Sequence, residues 1–153
     1  MADDRFRTVT DIIAFAVQRE IDAAQGYGWM ADLATTPGLR ALLLEMKAEE
    51  ENHRRLLDGM TAADLAAAGP VTVPDLGLSD GLEDVPADPD MSLQDLLIFA
   101  ARKEKAAAEL YTSLARRPGL EARRNLFEFL AAQERAHKLK LETEYEKRIL
   151  TED

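Results

Sequence analysis

The sequence predicts an all-α protein, a four-helix bundle made of two helical hairpins joined by a long crossover connection. Three observations carry that prediction. Apolar residues recur at three- and four-residue spacing through four long stretches, the periodicity of helices with one buried face. Glu20, Ala23, Tyr27, Glu50 and His53 return in the same order as Glu104, Ala107, Tyr111, Glu134 and His137, each 84 residues later, so the chain holds two copies of one hairpin. Between the copies, no Lys or Arg occurs from Arg55 to Arg102, and four of the six prolines fall there. Such a segment suits a crossover rather than a tight turn.

The first helix is expected over about residues 8–34, with Ile13, Ala16, Val17, Ala23, Ala24, Tyr27 and Ala31 as its stripe and Glu20 in the middle of it. Thr8 with Asp11 three residues later reads as its N-terminal cap, and Pro37-Gly38 as the end of the helix and the start of the turn. The second helix, about 39–57, carries Leu39, Leu42, Leu43, Met46, Leu56 and Leu57, with Glu50 and His53 at stripe positions too. The connection, about 59–91, holds Pro70, Pro74, Pro86 and Pro89 and a run of acids, with one short helix expected from Thr61 to Ala68. Its acidity reads first as that of a solvated linker, and second as a funnel for cations. Ser92 with Asp95 caps the third helix, which runs to about Arg116 with Leu93, Leu97, Ala100, Ala101, Ala107, Ala108, Tyr111 and Ala115 inward around Glu104. Pro118-Gly119 repeats the earlier punctuation. The last helix, near 120–150, buries Phe127, Leu130, Ala131, Leu141 and Tyr145, with Glu134 and His137 among them.

With 153 residues and 46% hydrophobic content, the expected organisation is one domain over 1–153, its hairpins at about 8–58 and 92–150. A formal charge of −10 disfavours nucleic acid or an anionic membrane as partner. The absence of cysteine rules out disulfides, thiolate metal sites and Fe–S centres on this chain. Met1 to Arg7 form no apolar run and no stretch of about twenty apolar residues occurs, so the expected location is cytoplasmic.

The polar residues inside the stripes carry the chemistry. Glu50 and His53, like Glu134 and His137, stand three residues apart, and these pairs use both histidines of the chain. Three residues turn a helix through about 300°, so each pair shares a face. A single such pair is ordinarily a solvated surface pair, and a lone core histidine ordinarily a hydrogen-bonded one; two copies with two further mid-stripe glutamates are neither. Glu20 and Glu50 are 17 and 13 residues from Pro37, and Glu104 and Glu134 are 14 and 16 from Pro118. At about 1.5 Å per residue the mismatch in each hairpin is only about 3–6 Å, so all four acids reach one layer. Four carboxylates in an apolar slice cannot stay ionised unaided. Two divalent ions would cancel them, Glu20 and Glu104 as terminal ligands, Glu50 and Glu134 as bridges, His53 and His137 one on each ion. Oxygen-rich ligation of this kind suits iron or manganese better than structural zinc. Tyr27 and Tyr111 are placed to hydrogen-bond a ligand carboxylate, an ordinary core role being the alternative. Glu45, Glu49, Glu51 and Glu109 are expected to be exposed or to stand behind the ligands.

In these residues the chain resembles the rubrerythrin branch of the ferritin-like di-iron proteins, whose bundles take a Glu from each of two helices and Glu-x-x-His from the other two. The resemblance covers residues 8–150 and implies Glu20, Glu50, His53, Glu104, Glu134 and His137 as ligands of two Fe ions, Mn or a mixed pair being alternatives. It departs at two places. There is no cysteine-ligated rubredoxin domain, which implies a separate electron donor, and the extra third-helix glutamate of the family is replaced by Ala106 or Ala107. The function so implied is a di-iron or di-manganese oxidoreductase acting on hydrogen peroxide or O2, by peroxidase or ferroxidase chemistry. The alternatives are iron storage, which needs a large closed assembly, and a structural or interaction bundle with a vestigial site. A homodimer, with helices exchanged across the connection, fits the same pattern.

Overall fold

Three of the four long helices begin at a residue whose side chain takes up an otherwise unpaired backbone N–H. The computed structural model describes residues 8–66, 87–88 and 90–152. Helix α1 spans Val9–Leu33, with Thr8 and Asp11 exchanging side-chain and backbone hydrogen bonds at 3.2 and 3.3 Å. Helix α2 spans Pro37–Asp58 and is capped by Thr36. Pro37-Gly38 therefore opens the second helix instead of forming the turn: proline at the first helical position lacks only an N–H that would have no partner, and its φ is already helical. A short α3, Ala62–Ala66, follows, with Thr61 and Asp64 in the same reciprocal cap. Helix α4 spans Leu93–Ala115 behind Ser92. Gly119 then turns at φ 92°, a conformation that glycine adopts without strain, and a 3-10 turn at Glu121–Arg123 leads into α5, Arg124–Glu152. The two Pro-Gly pairs thus differ in role, one inside a helix and one in a turn.

The side-chain pairings set the directions. Tyr27 reaches Glu104 while Tyr111 reaches Glu20, so α1 and α4 run antiparallel. His53 reaches Glu134 while His137 reaches Glu50, so α2 and α5 do too. Hairpins α1–α2 and α4–α5 pack tightly, and α2 and α4 consequently run parallel. The chain must therefore return from one end of the bundle to the other between them. Most of the acidic connection that does this, including the end of the helix expected over 61–68, lies outside the described residues. Each hairpin is also tied at its turn by an equivalent arginine: Arg40 Nε donates to the Ala31 carbonyl and Arg124 Nε to that of Ala115, both at 3.2 Å.

The apolar core is cut in two. At one end Ile12, Ala16, Leu57, Tyr111, Leu114, Phe127 and Leu130 pack together; at the other Tyr27, Met30, Leu43, Met46, Leu97 and Leu141 do. The slice between holds the only buried charged residues among those described: Glu20, Glu50, His53, Glu104, Glu134 and His137. Six stripe residues fall short of full burial: Val17, Ala23, Leu42, Ala100 and Tyr145 are half-buried at the edges of the two clusters and Leu56 is exposed. Leu56 is 37% exposed, because the next residue, about 100° further round, takes the inward position. Tyr145 only borders the second cluster. At the first end Met60 and Leu65 cover the core, held by an Arg123–Asp64 ion pair at 2.8 Å that draws the Asp64 carboxyl down to about 2. No described helix is long and apolar enough to cross a membrane.

This packing makes Phe127→Ala, at a fully buried ring, cost about 3–5 kcal/mol of unfolding free energy in denaturant titration. Leu139→Ala, at a side chain 66% exposed, should change it by less than about 0.5 kcal/mol.

Candidate metal centre

All six sequence-predicted ligand residues meet in one layer, and none is more than 2% exposed. Glu20, Glu50, His53 and Glu134 bring one atom each within 4.8 Å of one another, and so do Glu50, Glu104, Glu134 and His137. Glu50 and Glu134 belong to both groups. Each histidine turns Nδ1 inward: His53 Nδ1 lies 3.0 Å from Glu134 and 3.5 Å from Glu20, and His137 Nδ1 lies 2.6 Å from Glu50 and 3.7 Å from Glu104. The two imidazoles stack nearly parallel, 6.0 Å apart.

The inward-facing atoms crowd together at ion-pair distances without making hydrogen bonds. Glu20 Oε2, both oxygens of Glu50, Glu104 Oε2, Glu134 Oε1 and both histidine Nδ1 atoms are buried without a hydrogen-bond partner. Orphaned polar atoms at this density are rare in folded proteins. The donors are mostly hard carboxylate oxygens with one imidazole nitrogen per group, a set that could hold a metal ion.

Four outward-facing atoms, in contrast, are held: Glu20 Oε1, Glu104 Oε1 and Nε2 of each histidine. Tyr27 donates to Glu104 Oε1 and Tyr111 to Glu20 Oε1, so the tyrosine of each repeat fixes the glutamate of the other. His53 Nε2 meets Gln133 Oε1 at 3.1 Å and His137 Nε2 meets Glu49 Oε2 at 2.9 Å. With an amide or carboxylate oxygen as acceptor, each Nε2 carries a proton, and Nδ1 is the ring nitrogen that could bind an ion. Of the remaining acids, Glu45 and Glu51 are exposed and Glu109 half-buried.

Without ions the layer is electrostatically strained. Burial, then the neighbouring Glu50, raises the Glu20 carboxyl well above its usual range; burial and the surrounding carboxylates do the same to Glu134, and burial and Glu50 raise Glu104. Glu50 goes the other way: contacts with Glu20 and both histidines outweigh burial and lower it. For His53 and His137 burial opposes the charged form, but the carboxylates around them win and push the rings up to about 10 and about 11. The protons that these groups hold offset part of the negative charge of the layer.

No family model, curated protein or solved structure matches the chain. The site therefore stands on its own geometry. A cavity of about 750 Å³ reaches the carboxylates from between α1 and α4, its walls including Ala23, Gly26, Trp29, Phe99 and Ala107. The histidines, by contrast, sit on α2 and α5. Beside the cavity Arg19 lies over Phe15, as Lys103 lies over Phe99.

Sequence reading misses Gln133 and these paired cations, although all were within reach. Gln133 is the equivalent of Glu49, Lys103 of Arg19 and Phe99 of Phe15 at the same offset of 84.

The histidines give the metal-free protein a definite pH dependence. Their rings hold protons in the folded state up to about 10 and 11, against an ordinary value of 6.5. Between those values the folded state binds more protons than the unfolded one, so stability falls as pH rises. The raised carboxyl groups of Glu20, Glu104 and Glu134 act in the same sense. With a chelator present, Tm should drop steadily from about pH 7 to about pH 10; a flat profile over that window would contradict the charged histidines.

Proposed function

We propose that the polar layer binds two ions of iron or manganese and that the protein is an oxidoreductase reducing hydrogen peroxide or O2 with electrons from a separate donor, as its rubrerythrin-like residue pattern implies. The observation that carries the reading is the pair of overlapping ligand groups sharing Glu50 and Glu134, with every inward atom lacking a partner. When bound, a pair of such ions supplies one electron from each to a two-electron oxidant.

The protein's own groups divide the remaining work. Glu50 and Glu134 face both positions, and the inward atoms Glu50 Oε1, Glu50 Oε2 and Glu134 Oε1 take no hydrogen bond, which leaves these carboxylates able to shift as ionic charge changes. Glu20 and Glu104 stay fixed by the tyrosines. Tyr27 and Tyr111 are raised well above their usual range by burial and by the carboxylates beside them, so both keep their protons and remain donors. Their role is to orient ligands and not to accept protons from the reaction. Oxidant enters through the cavity between α1 and α4 and meets the carboxylate side of the centre. Its small-residue walls at Ala23, Gly26 and Ala107 keep that route open.

The test is a single turnover. Protein loaded anaerobically with Fe²⁺ and mixed with hydrogen peroxide should oxidise both irons per peroxide consumed, since reduction to water takes two electrons. Glu50→Ala and Glu134→Ala should each abolish the reaction; full turnover by either would contradict the assignment. Retention of many oxidised irons per chain in a large sedimenting assembly would instead indicate storage.

A further inference from the structure

The two halves of the centre match in every inward-facing group, yet they differ in what stands behind each histidine. The partner of His137 Nε2 is a carboxylate oxygen of Glu49 at 2.9 Å, and that of His53 Nε2 is the amide oxygen of Gln133 at 3.1 Å. Glu49 and Gln133 are equivalent positions of the repeat. A second difference has the same sense. Phe129 sets its ring edge-on to His53 at 6.1 Å, and its equivalent in the other copy is the exposed acid Glu45.

An imidazole N–H that donates to a carboxylate makes a charge-assisted hydrogen bond, roughly twice as strong as one to a neutral amide. It shares its proton more fully, and the opposite ring nitrogen becomes the more basic ligand. Glu49 is only partly screened by solvent, its side chain 26% exposed, and adds its negative charge directly behind the ring. Gln133 offers His53 the same orientation without the charge. The tautomer is thus set in both halves, and the donor strength in one.

We propose that Glu49 makes the position bounded by Glu50, Glu104, Glu134 and His137 the tighter of the two, so that the centre fills in a fixed order and the ion beside Glu20 and His53 enters second. The inference rests on the two-ion reading above. Glu49 touches no ion in it; it is a positioning residue that acts through His137.

Anaerobic titration of the metal-free protein with Co²⁺, followed by visible absorption and by proton NMR, tests this. The chain has two histidines, so each paramagnetically shifted ring N–H resonance reports on one position. One such resonance should appear with the first equivalent and the other with the second. Repulsion between two cations separates the steps even in a symmetric centre, so the variants decide. Glu49→Gln should weaken the first step on the order of tenfold and leave the second little changed. Gln133→Glu should tighten the second by a similar factor and leave the first little changed, and it carries the test if Glu49→Gln fails to fold. Two ions bound in steps that neither variant moves, or a Glu49→Gln that weakens only the second step, would overturn this inference alone. Failure of the unaltered protein to bind any ion would overturn the two-ion reading and this inference with it.

Discussion

Four carboxylates and two imidazoles share one slice of an apolar interior, and the rest of the bundle is arranged around their mutual electrostatics. Each buried charge costs several kcal/mol, and like charges at these separations add to it. The fold meets that cost in layers. Apolar clusters lie on either side of the slice, hydroxyl, amide and carboxylate groups hold the outer oxygens of Glu20 and Glu104 and the outer nitrogens of both histidines, and the inner atoms are left to cations or, without them, to shared protons. Removing a partner from such a layer strands the others, which is why one substitution there acts on the whole centre.

The internal repeat is the economical way to build this arrangement. One hairpin supplies two glutamates, a histidine and a tyrosine; two hairpins facing each other complete both groups that could hold an ion, each tyrosine crossing to the opposite copy. Because the pairing is crossed, neither hairpin holds a finished site alone. The same two-fold relation makes departures from it informative. Where the copies disagree, at Glu49 against Gln133 and at Glu45 against Phe129, the difference falls behind the histidines, at positions that tune a ligand without replacing it.

Much of this was legible in the residues. Glutamate and histidine at helical spacing inside an apolar stripe have few other physical explanations, so the six inward groups and the two-hairpin architecture follow from periodicity and repeat. The Thr8 and Ser92 caps are equally local and equally readable. What escaped depended on surroundings that a stripe does not encode. Pro37-Gly38 could punctuate a helix from either side, and only the Thr36 cap decides that it opens one. Leu56 looks inward by composition, but its neighbour takes that direction. The tyrosines read as partners of a ligand carboxylate, and the antiparallel register decides which one, carrying each hydroxyl to the glutamate of the other repeat. Gln133 is unremarkable until His53 is placed beside it.

The central claim is that the buried layer is a two-ion centre, and the most direct measurement is equilibrium dialysis of the metal-free protein against Fe²⁺ under strict anaerobiosis, with iron counted per chain. The account predicts two ions, with no further uptake at saturation. A chain that bound none would show that its buried carboxylates are satisfied by protons alone, and the centre described here would not exist.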